Sequence, residues 1–114
     1  MILEFKFYSE LSIKLFPDRI RFTSSLNYQT STITLTFYNP SLLLNSLSNL
    51  RDLLAIKSLC IQENNKEYST KDIRIIWVKG RPLFLQAVFL ILSPEDSMIL
   101  KASFQPYLTQ NNLI

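Results

Sequence analysis

The residue types that carry most protein chemistry are scarce in this chain. It has one cysteine, Cys60, and no histidine. A catalytic thiolate needs a partner base, which the chain cannot supply as histidine, and the usual zinc sites need several Cys and His ligands. A lone thiol between Leu59 and Ile61 is typical of a small buried apolar residue. The sequence therefore predicts a core role for Cys60, no zinc site and no internal disulfide.

The nine carboxylates are scattered, and they form no catalytic or metal-binding motif. They are Glu4, Glu10, Asp18, Asp52, Glu63, Glu67, Asp72, Glu95 and Asp96. Glu95 and Asp96 are adjacent, but a place in the first turn of a helix explains the pair through the helix dipole. The only glycine, Gly80, excludes a glycine-rich phosphate loop. We therefore predict no catalytic residue, no metal, no cofactor and no enzyme activity.

Basic residues are concentrated between positions 51 and 81. This segment holds seven of the twelve Lys and Arg residues and four acids, so it carries a charge of +3 by itself. Such a surface can attract acidic loops of a protein partner, and an ordinary solvated sheet face is the open alternative. The residues predicted to bind a partner are Lys71, Arg74, Trp77, Lys79 and Arg81.

Trp77 has two interpretations. It is a large aromatic anchor for a partner if it is accessible, and a core residue if it is not. The total charge of +3 is far below what a protein that wraps duplex nucleic acid uses to release counterions. A dedicated nucleic-acid binder is therefore not expected.

Alternating apolar side chains supply the elements that position these residues. This pattern predicts strands at residues 3–7, 11–15, 20–22, 32–38, 56–62, 68–78 and 83–92. Asn64 and Asn65 predict a hairpin turn, and Gly80 predicts a second turn that needs a positive φ. The strand at 83–92 is the most apolar and is expected to be central. Residues 75–78 are apolar on both faces, so we expect that end of its strand to be covered on both sides.

Two helices are predicted. The first follows Pro40 from Ser41 and carries a leucine stripe, which either packs on the sheet or binds a partner helix. The second opens at Ser93-Pro94-Glu95-Asp96 and is expected to end near Gln105, because Pro106 interrupts the hydrogen-bond ladder. The fold class is therefore α+β: an antiparallel sheet (curved, half-barrel or two-layer) with one inserted helix and one C-terminal helix.

Length and composition indicate one domain over residues 1–114, since 114 residues with 47% hydrophobic side chains suit a single core. The longest apolar run, residues 83–92, is too short to span a membrane as a helix. The N-terminus goes straight into an alternating pattern without a targeting segment. We therefore expect the protein to be made where it works or to be already processed.

Three motifs occur in an order and spacing that resemble one known family. They are Pro17-Asp18 with Arg21-Phe22-Thr23, Phe37-Tyr38-Asn39-Pro40, and Gly80-Arg81-Pro82 running through an apolar strand into Ser93-Pro94-Glu95-Asp96. The chain resembles the photosystem II reaction-centre protein 28 family over nearly its whole length. It departs from the family pattern at Ser24, in the leucine-rich stretch 41–55, at Pro106 and in its basic charge, so the resemblance is to a divergent member.

The resemblance implies a soluble, non-catalytic photosystem II assembly or accessory factor without a cofactor. It implies peripheral binding at the stromal face of the thylakoid membrane, or the cytoplasmic face in a cyanobacterium. The partners implied are the large inner antenna protein, reaction-centre subunits and the cytochrome subunit, with a partner's terminal segment adding to a sheet edge. The alternative is a soluble binding module that uses its basic sheet surface for RNA or an acidic protein partner.

Overall fold

The computed structural model describes residues 1–8, 12–24, 30–38 and 56–111. Its strands and helix, in chain order, are β1 (Ile2–Phe7), β2 (Ser12–Lys14), β3 (Arg19–Ser24), β4 (Ser31–Phe37), β5 (Ile56–Glu63), β6 (Lys66–Thr70), β7 (Ile73–Val78), β8 (Arg81–Ile91) and α1 (Pro94–Asn111). The first sheet has the strand order β2-β1-β5-β6, and the second has the order β3-β4-β8-β7. Every strand pair is antiparallel.

The apolar faces of the two sheets share one core. On β1, Leu3, Phe5 and Phe7 are buried because alternate residues of a strand point to the same face. The ring of Phe5 meets the ring of Phe37 on β4 edge to face, with centroids 5.0 Å apart. Strands from both sheets therefore contribute side chains to a single cluster.

Helix α1 adds Leu100 and Phe104 to that core, and both are fully buried. Phe104 also packs against Phe22 of β3, with ring centroids 5.8 Å apart. The helix begins as predicted, since the Asp96 backbone N–H donates to the Ser93 Oγ at 3.3 Å.

The predicted end of this helix is wrong. It continues through Pro106 to Asn111 instead of ending near Gln105. Proline removes one backbone hydrogen bond, but the helix is held on both sides of it. Phe104 is buried before Pro106, and after it the Tyr107 ring lies against Phe16 with centroids 4.3 Å apart. Tertiary packing therefore outweighs the local helix-breaking tendency.

The predicted strand at 68–78 is two strands in different sheets. Thr70 terminates β6: its hydroxyl donates to the Val88 carbonyl at 2.6 Å and accepts from the Asp72 N–H at 3.0 Å. The Val88 N–H donates to the Asp72 carbonyl at 3.0 Å, where the chain joins the second sheet. Four consecutive polar residues, Ser69 to Asp72, interrupt the alternation at this point, and the sequence interpretation missed this sign of a break in the strand.

The strands form two four-stranded sheets, so the half-barrel alternative is not supported and the C-terminal helix is the one helix among the described residues. The inserted helix predicted after Ser41 lies outside the described residues. The strands predicted at 32–38 and 83–92 are confirmed, and β8 occupies an interior position of its sheet as expected. In the described part of the chain, no helix is long and apolar enough to cross a membrane.

Both predicted turns are confirmed. Asn64 and Asn65 have φ values of 48° and 65°, and Lys79 and Gly80 have φ values of 52° and 76°. Two consecutive residues with positive φ are the geometry that joins two strands in a tight, right-twisted hairpin. The β7–β8 hairpin thus brings all of the predicted partner-binding residues onto or beside one supersecondary unit.

Candidate functional site at the β7 edge

The predicted partner-binding residues lie on or beside an edge strand, β7. β7 is the last strand of the second sheet and pairs only with β8 among the described strands. Lys71, Arg74, Lys79 and Arg81 are all exposed. They fall into two groups: Lys71 and Arg74 at the start of β7, and Lys79 and Arg81 at the hairpin turn. The structure places these groups at opposite ends of the edge, about 16 Å apart at the usual rise per residue of a strand.

On the side of β7 away from β8, no described strand pairs with its backbone groups. The Val88 N–H and carbonyl point toward the β7 side of β8, as its bonds to Asp72 and Thr70 show. Backbone groups alternate between the two sides of a strand, so Gln86, two residues before Val88, also directs its N–H and C=O toward β7. It pairs there with Arg74, whose backbone groups therefore point toward β8. Ile75, the next residue of β7, therefore directs its N–H and C=O to the side where no described strand pairs with it.

Trp77 is partly exposed, with a relative accessibility of 39% for the residue. Ile73 and Ile75 pack against the core, but Trp77 is not among the side chains packed there. The prediction that this end of the strand is covered on both sides is wrong, because Ile76 and Val78 are exposed too. The described part of β4 pairs with β8 only as far as Leu85, so the hairpin end extends beyond that pairing.

A β-bulge shapes the same hairpin end. Ile76 pairs with Phe84 and Trp77 pairs with Pro82, which leaves Leu83 without a partner across the strands. Leu83 is 52% exposed, as expected for the extra residue of a bulge. Trp77, Val78 and Leu83 are thus exposed apolar residues close in the sequence to Lys79 and Arg81.

The charges on this hairpin are largely unused by the fold. Arg74 Nε lies 3.7 Å from Asp72 Oδ1, and both side chains are well exposed. Such a solvated pair contributes little to stability and is readily exchanged for another partner. Among the ion pairs formed by described residues, none involves Lys71, Lys79 or Arg81.

The sequence interpretation missed two arginines that share a face with Arg74. Arg19 pairs with Thr36, Thr36 pairs with Gln86, and Gln86 pairs with Arg74. Directly paired residues lie on the same face of a sheet, so these four side chains form one row across all four strands. Arg21 lies on the same face, two residues along β3. The Arg-Ile-Arg-Phe alternation at 19–22 indicates that the two arginines share one face of a strand. Only the strand order shows that Arg74 lies on the same face of the sheet.

Cys60 is buried and free, as predicted. Burial raises the pKa of its thiol, so the protonated form is favoured. The Cys60 Sγ lies 3.7 Å from the Ser58 Oγ, and either group can donate. This environment is that of a structural cysteine. Among the described residues, no group of three or more Cys, Asp or Glu side chains could hold a metal ion.

Asp96 lies in the first turn of the helix, as predicted, and it also binds side chains of β6. Its Oδ1 accepts hydrogen bonds from the Lys66 Nζ and the Tyr68 hydroxyl, both at 2.9 Å. These bonds, with that from Lys66 the stronger influence, lower the pKa of Asp96. The carboxylate therefore joins the β5–β6 hairpin to the start of α1.

These features define a class: a small α+β protein of two antiparallel sheets with an exposed cationic edge hairpin. No family model matches the chain. It is 30% identical over 95 residues to the photosystem II reaction center Psb28 protein of Trieres chinensis, covering 83% of this chain and 79% of the relative. It is 28% identical over 91 residues to the protein of that name from Pyropia yezoensis, covering 80% and 76%.

The protein of the same name from Synechococcus elongatus is 28% identical over 97 residues, covering 85% of this chain and 81% of the relative. The chain belongs to the Psb28 family. The resemblance stated from its motifs is confirmed, and the low identities are those of a divergent member.

Proposed function

We propose that this chain is a non-catalytic accessory or assembly protein of photosystem II. The names of its relatives, photosystem II reaction center Psb28 protein, support the association. The observation that carries the mode of binding is the free, cationic edge of β7. An edge strand offers a template for an extended segment of another chain.

In this proposal a partner's terminal segment pairs with β7 along the backbone groups of Ile75. Lys71, Arg74, Lys79 and Arg81 attract acidic loops toward the edge, and long-range attraction of this kind raises the association rate more than the final affinity. Trp77 supplies the aromatic contact, because its exposed part can be desolvated by a partner while its backbone stays in the sheet.

The partners proposed are the inner antenna protein, reaction-centre subunits and the cytochrome subunit of photosystem II. The site of action proposed is the stromal face of the thylakoid membrane, or its cytoplasmic face in a cyanobacterium. Binding is peripheral, requires no cofactor and uses residues 1–114 as one domain.

Affinity isolation of the tagged chain from solubilised thylakoids tests the function. Co-purification of photosystem II core subunits is expected. A salt-sensitive association with ribosomes or RNA, without these subunits, would instead support the RNA-binding alternative and contradict the proposal.

Charge reversal tests the surface. The double variant Arg74→Glu, Lys79→Glu is expected to recover several-fold less photosystem II than the parent, with a nearly unchanged melting temperature, because exposed charges contribute little to stability. The matched control is Lys57→Glu, Lys101→Glu, which makes the same charge change at two exposed positions on β5 and α1. Equal recovery with all three proteins at low salt would place the docking surface elsewhere.

A further inference from the structure

The outward face of the second sheet carries a row of polar side chains that the proposed edge contact does not use. The row runs Arg19, Thr36, Gln86, Arg74 from β3 to β7. The core side chains Ile20, Leu35 and Ala87 are sequence neighbours of these residues and are buried on the opposite face. Thus the row faces away from the core, and we call it the cross-strand row.

The two ends of the cross-strand row are cationic and its centre forms neutral hydrogen bonds. Gln86 Nε2 donates to Thr36 Oγ1 at 3.4 Å, so the central pair is already oriented. Arg19 is exposed and takes part in none of the ion pairs between described residues. At the other end Arg74 has only its solvated contact with Asp72. Arg21 adds a further exposed guanidinium beside Arg19.

The spacing of the strands sets what the cross-strand row can bind. Neighbouring strands lie about 4.8 Å apart, so the Cα positions of Arg19 and Arg74 are separated by about 14 Å across four strands. An extended polypeptide rises about 3.4 Å per residue, and carboxylates four residues apart match this span. Arginine is suited to carboxylates because its planar guanidinium can form two parallel hydrogen bonds.

We propose that the cross-strand row is a second binding surface, which holds an extended acidic protein segment across the strands. Arg19 and Arg21 bind a carboxylate at one end and Arg74 binds another. Gln86 lies beneath the intervening backbone, and Thr36, which is buried, only orients the Gln86 side chain. A protein segment is favoured over single-stranded RNA, because the net charge of +3 is far below what nucleic-acid binders use to neutralise phosphates. The surface shares only Arg74 with the proposed β7 edge contact.

The test uses the full chain and a fluorescein-labelled nine-residue peptide with Glu at the third and seventh positions and Ser or Thr elsewhere. Anisotropy at low salt is expected to show binding that the double variant Arg19→Glu, Arg21→Glu weakens about tenfold, since each reversal replaces attraction by repulsion. The charge-matched control Lys57→Glu, Lys101→Glu is expected to change the affinity less than about twofold. Circular dichroism melts confirm that each variant is folded.

A second peptide with its two Glu residues adjacent tests the spacing at constant charge and is expected to bind more weakly. Equal binding of the two peptides, equal weakening by the control variant, or tighter binding of a single-stranded RNA of the same length would each overturn the proposal. Because no photosystem II is present, these results are separate from the co-purification experiment. Loss of co-purification with intact peptide binding would contradict the proposed function alone.

Discussion

The β5–β6 and β7–β8 hairpins have the same kind of turn and opposite surroundings. Asn64 and Asn65 join β5 to β6, Lys79 and Gly80 join β7 to β8, and all four residues have positive φ. The β5–β6 hairpin is tied to the rest of the fold, since Lys66 and Tyr68 donate to Asp96 on α1 and Lys6 donates to Glu67 at 3.2 Å. No corresponding bond among the described residues holds the end of the β7–β8 hairpin.

The difference shows how one local structure serves two purposes. In the β5–β6 hairpin the charged side chains are engaged within the molecule, and the Lys6 and Asp96 contacts stabilise it. In the β7–β8 hairpin the cations and the apolar residues Trp77, Val78 and Leu83 stay accessible. Among the described residues the ion pair of this hairpin is the solvated contact of Arg74 with Asp72, so its charges can bind a partner with little loss of native interactions.

Removal of the Phe104 ring, which anchors α1 in the core, is expected to have the largest effect on stability. It should also leave the β5–β6 hairpin as weakly held as the end of the β7–β8 hairpin. Phe104→Ala deletes a fully buried ring and is expected to cost about 3–5 kcal/mol in the free energy of unfolding. Because α1 carries Asp96, amide exchange in β6 should accelerate toward that of the β7–β8 hairpin end. Denaturant unfolding and hydrogen exchange measure the two effects.

The control for this change is Phe104→Leu, which retains most of the apolar volume and should cost clearly less. If β6 amides keep their protection in Phe104→Ala while the global stability falls, the contacts with α1 are not what holds the β5–β6 hairpin.

A change within the turns is expected to have an intermediate effect. Gly80 has a φ of 76°, and a Cβ added there meets no atom within 4 Å, so Gly80→Ala introduces backbone strain without a steric clash. The expected cost is about 1 kcal/mol. Asn65→Ala is the matched variant at a φ of 65°, and it should cost less because asparagine already bears part of that strain. Chemical denaturation measures both, and a larger loss in Asn65→Ala would contradict this account.

Much of the fold was predictable because strands and turns depend on neighbouring residues. Strict alternation identified β4 and β8, and residues suited to positive φ identified both turns. The sequence analysis included a two-layer arrangement, but it did not show that residues 66–70 and 73–78 join different sheets. That crossing depends on the bond of Thr70 with Val88, which is eighteen residues away in the sequence. The end of α1 was missed for the same reason: the contact of Tyr107 with Phe16 is not a local property.

The candidate site was predictable in composition and not in geometry. The sequence identified Lys71, Arg74, Lys79 and Arg81 as a cationic segment, but it could not show that β7 is an edge strand. The exposure of Trp77 depends on where the neighbouring strands end. The contribution of Arg19 required the register of three strand pairs, which no single stretch of sequence contains.

The smallest expected effect is the pH dependence of the Asp96 contact. Hydrogen bonds from Lys66 and Tyr68 lower the pKa of Asp96 below its ordinary value of 3.8. The folded state therefore releases this proton more readily than the unfolded chain, and the contact contributes stability above the unfolded pKa. That contribution is lost as the pH falls through the lower folded pKa.

Asp96→Asn should consequently be less stable than the parent at neutral pH, and the difference should shrink below about pH 4. Glu95→Gln, which removes the adjacent carboxylate that accepts neither bond, should give a smaller difference. Urea unfolding of the three proteins across this pH range measures the effect. A difference between parent and Asp96→Asn that stays constant to the lowest pH would show that the carboxylate charge is not what joins the β5–β6 hairpin to α1.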